Sequence, residues 1–262
     1  MRSLQIAATG MQAQQLNVEV ISHNIANLQT TGFKKIRAEF QDLLYQDLRR
    51  VGSASSSSGT TVPTGLQLGF GVKTAATSRV MSQGNLVQSQ KELDVAVRGE
   101  GFFVVNLPSG QTAYTRDGSF NRNENGNLVT LDGFEVQPGI TIPTDANNIT
   151  INQEGQIQAI VGTATTPTVL GQIQLANFAN KSGLTAIGDN LYLETSSSGT
   201  ANLGNPNDTG FGSIAQRFLE GSNVDAVLEL SSLITAQRAY ELNSKVIQAS
   251  DEMLSTASNI IR

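Results

Sequence analysis

The sequence predicts an α+β protein: long N- and C-terminal helices forming a coiled-coil-like inner domain, with a central antiparallel β domain between them. Three patterns predict it, namely a seven-residue apolar repeat near the start, a second near the end, and short β-prone runs punctuated by turn dipeptides in the middle. A period of seven is two turns at 3.5 residues each, which keeps one stripe of a helix facing a packed neighbour.

The first repeat runs through Leu4, Met11, Val18 and Ile25, with Ala7, Ile21 and Leu28 on companion positions and Gln14 as the one interruption. Between Ser22 and Phe33 the residues Asn24, Asn27, Thr30, Thr31 and Gly32 predict a break or loop. Asn27, Gly32 and Phe33 are expected to shape that bend. Apolar residues at Ala38, Phe40, Leu43 and Leu44 read as helix resuming, so residues 1–45 form an N-terminal helical assembly segment. Residues 46–90 read as an extended Ser/Gly-rich linker region, whose Gly52, Ser55, Ser58, Pro63 and Gly65 favour flexible chain.

The β domain is expected over residues 91–200. Its runs include Leu93–Val97, Phe102–Val105, Leu128–Thr130, Ile149–Ile151, Ile173–Leu175 and Leu191–Leu193. Asp117-Gly118, Asn125-Gly126 and Asp132-Gly133 favour tight hairpins, because Gly and Asn tolerate positive φ. A polar connector over residues 201–221 then leads to the C-terminal helical assembly segment, 222–262. Ser222 with Asp225 three residues on reads as the helix start. Leu233, Tyr240, Ile247, Leu254 and Ile261 repeat at seven, flanked by Ala239, Val246, Met253 and Ile260. A helix of that span is roughly 58 Å long. Such stripes must be buried, either as an antiparallel pair within one molecule or against neighbouring subunits as well. Leu4, Met11, Val18, Ile25, Leu233, Tyr240, Ile247 and Leu254 are the expected helix seam.

Composition removes several function classes. Only 15% of residues are charged and the net charge is −5, with the densest basic clusters at Lys34-Lys35-Ile36-Arg37 and Arg49-Arg50, so no nucleic-acid partner is expected. Aromatics are 5% with no Trp, too few for a stacking surface. Cysteine is absent, which suits any redox compartment and a chain that must cross a membrane unfolded. The first 30 residues lack an unbroken apolar core, and no run approaches the ~20 apolar residues of a membrane helix. Neither a cleavable signal nor membrane insertion is expected.

Catalytic chemistry finds no support in the residues. His23 is the single histidine, so the usual zinc sites and a Ser-His-Asp arrangement lack partners. No phosphate-binding loop of the Gly-x-x-x-x-Gly-Lys type occurs. Asp117–Asn123 begins like a calcium loop, yet places Arg122 where Gly is required and Leu128 where a bidentate Glu belongs. The sequons at Asn148, Asn180 and Asn207 are chance matches in an Asn-rich chain, and Asp251-Glu252 reads as a solubilising pair. No enzyme, metal or cofactor is expected.

Three stretches carry a resemblance. Ala26–Lys34, with Asn27, Thr30, Gly32, Phe33 and Lys34, is similar to the N-terminal signature of the bacterial flagellar rod and hook proteins. Gly101-Phe102-Phe103 and Tyr114–Phe120, with Arg116, Asp117 and Gly118, resemble that family's central motif. Ser222–Asp225 with Asn223, then Gln237, Arg238, Tyr240 and Asn243, resemble its C-terminal signature. The order is the family's and spans nearly the whole chain. The length leaves no room for a hook protein's outer domain, and Tyr45–Val72 resembles an insertion typical of distal-rod members, implicated in a straight, stiff rod.

The resemblance implies a structural subunit of the distal rod: a rigid, hollow helical polymer that transmits torque across the periplasm. It also implies export through the flagellar type III apparatus and terminal segments that order only on polymerisation. Implied partners are other copies of the chain, the proximal rod and hook proteins, and the rings of the outer membrane and peptidoglycan. A proximal-rod or hook-type subunit is the alternative within the family. From other classes stand a secreted β-domain binding module and a periplasmic hydrolase.

Overall fold

The computed structural model describes residues 2–52, 64–162 and 166–260. They fall into two compact units, each assembled from segments far apart in the chain. One unit holds the long helices α1 (Arg2–Ala26) and α2 (Ala226–Ile260) with the strands β1 (Ile36–Asp42), β2 (Tyr45–Arg49), β3 (Leu66–Gly69) and most of β4 (Val72–Arg79). Here β1 pairs with β4 and β2 with β3, giving two ribbons in line.

The other unit combines residues 26–35 with 79–224. Its strands in chain order are β5 (Leu86–Gln88), β6 (Val95–Arg98), β7 (Phe102–Asn106), β8 (Thr112–Thr115), β9 (Asn121–Arg122), β10 (Leu128–Val129), β11 (Glu135–Val136) and β12 (Ala146–Ile151). There follow β13 (Gln156–Val161), β14 (Thr168–Gln172), β15 (Leu175–Asn177), β16 (Thr185–Gly188), β17 (Leu191–Leu193), β18 (Asn202–Gly204), β19 (Ser213–Gln216) and β20 (Phe218–Glu220). Among the described residues the largest sheet runs β16-β17-β8-β7-β11-β10-β9, with β15 joining β7 to β18. The paired strands with recorded registers are antiparallel, and β12-β13-β14 form a separate three-stranded sheet.

Alternation along β7 explains why this unit folds. Phe103 and Val105 enter one cluster with Val97, Phe120, Ile157 and Leu175, while Phe102 and Val104 enter a second with Tyr114, Phe178 and Tyr192. Successive side chains of a strand point to opposite faces, so an unbroken apolar run is stable only where both faces are covered. The aromatic rings meet edge to face, as between Phe103 and Phe120 at 5.0 Å and Tyr114 and Phe178 at 4.8 Å.

Four expectations are corrected. Ile36–Asp42 is a strand, not resumed helix: Ile36, Ala38 and Phe40 alternate with polar residues, a period of two that outweighs the apolar pair Leu43-Leu44. Much of 46–90 is strand, β2 through β5; Ser55, Ser58 and Pro63 lie outside the described residues. The stretch 201–221 is not a connector either, since β18 pairs β15, β19 pairs β6 and β20 pairs β5. Finally, the cap of α2 is Asp225, whose Oδ1 accepts from the backbone N–H of Val227 and Leu228, while Ser222 Oγ accepts from Val224 in the preceding turn.

The turn dipeptides divide. Asn125-Gly126 and Asp132-Gly133 join β9 to β10 and β10 to β11, with Gly126 and Gly133 at φ +85° and +87°. Asp117-Gly118 closes no hairpin, because β8 pairs with β7 and β17. Gly118 is there for close approach: a Cβ on it would stand 1.6 Å from the carbonyl oxygen of Val95.

Candidate assembly interface

The two helices meet along an antiparallel row of small and polar residues. Ser3 Oγ lies 3.3 Å from Ser250 Oγ, a Cβ on Gly10 would stand 2.9 Å from Asn243 Nδ2, and Asn24 Nδ2 lies 3.4 Å from Glu229 Oε2. The steps are seven and then fourteen residues up one helix and down the other. Ala236, 2% exposed, falls on the same row. Small residues let the helix axes approach, and the polar ones fix the register. Asn24 also pairs with both backbone groups of Ile36, at 2.8 and 2.9 Å, which ties the end of α1 to the first residue of β1.

Of the apolar rows expected at the seam, the companion residues Ala7 and Ile21 are buried at 3% and 5%, whereas the main rows flank the polar one. Leu4, Met11, Val18 and Ile25 are partly buried, as are Leu233 and Ile247, while Tyr240 and Leu254 are exposed at 43% and 36%. Val18 and Tyr240 face each other across a groove of about 360 Å³ with Gln15, Glu19, Gln237 and Glu241. Among the described residues, nine large apolar side chains of α2 are exposed, from Val227 at 75% to Leu254. A lone helix with so much apolar surface in water is incompletely packed. No helix among the described residues is long and apolar enough to cross a membrane.

In the β-rich unit, Lys34 and Arg116, from the first two sequence signatures, converge with Glu220 on one buried ionic centre. Lys34 Nζ donates to Glu220 Oε1 at 2.5 Å and to the Ser82 carbonyl at 2.8 Å. Arg116 lies 3.4 Å from Glu220 Oε2, donates to the Gly99 carbonyl at 2.6 Å and stacks over the Phe102 ring. Lys34 and Glu220 are fully buried and Arg116 nearly so. Burial pushes the Lys34 ammonium below its usual range against the pull of Glu220, and Arg116 adds to the downward push. Burial likewise lowers Arg116.

Backbone and amide groups finish the junction. Gly32, at φ +68°, donates its N–H to the Glu220 carbonyl, and a Cβ on it would meet the backbone N of Asp117 at 2.8 Å. Asn223 accepts from the Lys35 N–H at 2.7 Å and donates to the Val80 carbonyl at 2.8 Å. Asn27 accepts from the Thr30 hydroxyl in the turn leaving α1, and Phe33 is buried. Asp117 Oδ1 accepts from the N–H and hydroxyl of Ser119. Tyr114 donates to Glu194 at 3.4 Å; burial first, then the charge and bond of Glu194, push its phenol up to about 12.

Comparison with known proteins gives this junction a lineage. Three family models match: "Flagella basal body rod protein" over residues 4–34, "Flagellar hook protein FlgE/F/G D1 domain" over 96–159, and "Flagellar basal body rod FlgEFG protein C-terminal" over 215–260. The flagellar basal-body rod protein FlgG of Caulobacter vibrioides is 56% identical over 99% of both chains. That of Borreliella burgdorferi is 48% identical over 100% of this chain and 99% of its own, and that of Bacillus subtilis 39% over the full length of both. The chain belongs to the FlgG family of flagellar basal-body rod proteins.

The flagellar signatures thus divide between the units. Asn27, Thr30, Gly32, Phe33, Lys34, Tyr114, Arg116, Asp117, Gly118 and Asn223 lie in the β-rich unit, whereas Gln237, Arg238, Tyr240 and Asn243 lie on α2. Sequence reasoning missed Glu220, the one carboxylate between two buried cations. It missed the polar row as well, although Ser3, Gly10, Asn17 and Asn24, like Glu229, Ala236, Asn243 and Ser250, repeat at seven beside the apolar rows. That row was legible as a second heptad.

Proposed function

We propose that this chain is a structural subunit of the distal rod, polymerising helically into a rigid hollow drive shaft that transmits motor torque across the periplasm and lets exported subunits pass. It acts there without catalysis or cofactor. It is delivered unfolded by the flagellar export apparatus, without a cleavable signal, and meets other copies of itself, the proximal rod and hook proteins, and the ring proteins of the outer membrane and peptidoglycan.

One observation carries the reading: beside the polar row that joins α1 and α2, apolar flanks of α2 stay exposed. The flanks represent burial that assembly alone supplies, at roughly 25 cal/mol per Å² removed from water. Leu4, Met11, Val18, Ile25, Leu233, Tyr240, Ile247 and Leu254 are the contacts we assign to that burial. A heterologous contact that does not close on itself propagates a filament. Gly52, Ser55, Ser58, Pro63 and Gly65 belong to the stretch we assign to rod straightness.

Substituting Ile247→Asp or Leu254→Asp tests the reading. The expected result is loss of polymerisation with near-UV signals of the β-rich unit unchanged. Rods of normal length from either variant overturn it.

A further inference from the structure

One short segment near the end of the β-rich unit reaches into most of its other parts. Residues 213–220 comprise β19 and β20, joined at Arg217, whose φ of +60° turns the chain from one partner strand to another. β19 pairs with β6, from Ser213 opposite Arg98 to Gln216 opposite Val95. β20 pairs with β5, from Phe218 opposite Gln88 to Glu220 opposite Leu86. At the turn Arg217 donates its N–H to the Asp94 carbonyl and accepts from the Ser89 N–H, both at 2.7 Å.

Side chains extend that reach. Gln216 accepts from the Ile151 N–H at 3.0 Å and donates to the carbonyls of Ile149 and Glu92 at 2.8 and 2.9 Å, so one amide ties β12 to the chain entering β6. Ile214 is 2% exposed in the cluster that holds Val97, Phe103 and Ile157. Glu220 gives Lys34 and Arg116 their counter-charge, and its carbonyl accepts from the Gly32 N–H at 2.7 Å.

Without this segment the rest of the unit cannot bury its parts cheaply. Among the described strands β6 pairs with β19 alone, and its Val95, Ala96 and Val97 are fully buried. Buried N–H and C=O groups without partners are rare in native structures. Lys34 and Arg116 would enter the interior with no carboxylate between them, which burial strongly opposes. The apolar cluster would carry a cavity in place of Ile214. Synthesis runs from the N-terminus, so β19 and β20 are also the last strands of the unit to emerge. Resting on the reading above that the chain is delivered unfolded, we propose that residues 213–220 are a closing element: the β-rich unit does not pack until they dock, and the incomplete chain stays open for delivery.

Refolding of the unmodified full-length chain from urea, with pulsed hydrogen–deuterium labelling, tests the order. The reporters on the segment are the amides of Ile214 and Arg217, which donate to the carbonyls of Gln153 and Asp94. The expected result is a single step, in which the amides of β7 and β8 gain protection no sooner than these two. Protection of β7 and β8 in an earlier step overturns the proposal. As a second arm, Ile214→Val keeps the fold and lowers the folding equilibrium constant about two- to tenfold, the range for a buried Ile→Val change. Most of that factor should appear as slower refolding, because a contact needed before packing is already made in the transition state. A loss confined to faster unfolding overturns the closing role. Both arms follow folding in solution, so their failure strikes the closing element and leaves the delivery reading intact, whereas export of already folded subunits would strike the delivery reading itself.

Discussion

The buried centre holds two cations and one carboxylate, and that inequality orders its substitutions. Glu220→Gln keeps the volume and an acceptor for the N–H of Gly84, which donates to Glu220 Oε1 at 3.0 Å, but strands Lys34 and Arg116 without a counter-charge. Removing one partner of a buried pair costs about 3–5 kcal/mol. Lys34→Met leaves Glu220 and Arg116 as a balanced pair and costs less. Denaturant unfolding followed by near-UV dichroism checks the order, and equal costs would contradict the charge accounting. Tyr114 adds a pH term. Its phenol is raised to about 12 from 10, so its contribution to stability is complete below pH 10 and is lost as pH rises toward 12. Tyr114→Phe should flatten the alkaline fall in stability over that window, read from unfolding midpoints at pH 9 and pH 11.5. Lys34 and Arg116 could be read from their motifs, but Glu220 could not. Nothing local to Phe218-Leu219-Glu220 says that its carboxylate points into a core shared with residues more than a hundred positions away.

Elements were legible where one period dominated. The heptads of α1 and α2 and the apolar runs of β7 and β17 stand out because packing demands them over several turns or on both faces. The segment 36–44 misled because Leu43-Leu44 supplied helical spacing to a run that alternates, and its pairing with β4 is decided thirty residues downstream. Within the helix pair, Gly10 separates propensity from packing. Gly10→Leu improves intrinsic helicity by up to about 1 kcal/mol. It also drives a side chain into Asn243, where even a Cβ stands 2.9 Å from the amide. The helices should part while α1 itself strengthens. Ser3→Cys with Ser250→Cys reports this, because the native hydroxyls are 3.3 Å apart. The intramolecular disulfide forms in the parent background and should fail with Gly10→Leu.

At the scale of the whole molecule, the units differ in how they are stabilised. The β-rich unit closes two apolar clusters and a buried ionic centre with its own residues. Between α1 and α2 the helical unit places serines, an asparagine facing a glycine, one amide-to-carboxylate bond and the buried Ala236, and among the described residues nine large apolar side chains of α2 stand in water. Ordering a residue costs about 1–2 kcal/mol in backbone entropy alone, and a narrow polar row offsets little of that across two long helices. Local opening follows buried contact, so amide exchange should divide the monomer along the same line. Amides of α1 and α2 should exchange within the shortest labelling times while those of β7, β8 and β17 stay protected. In the polymer both sets should be slow, because neighbouring copies cover the apolar flanks. Monomer helices as protected as β7 would mean that the polar row suffices, and the drive for assembly would then have to come from another surface.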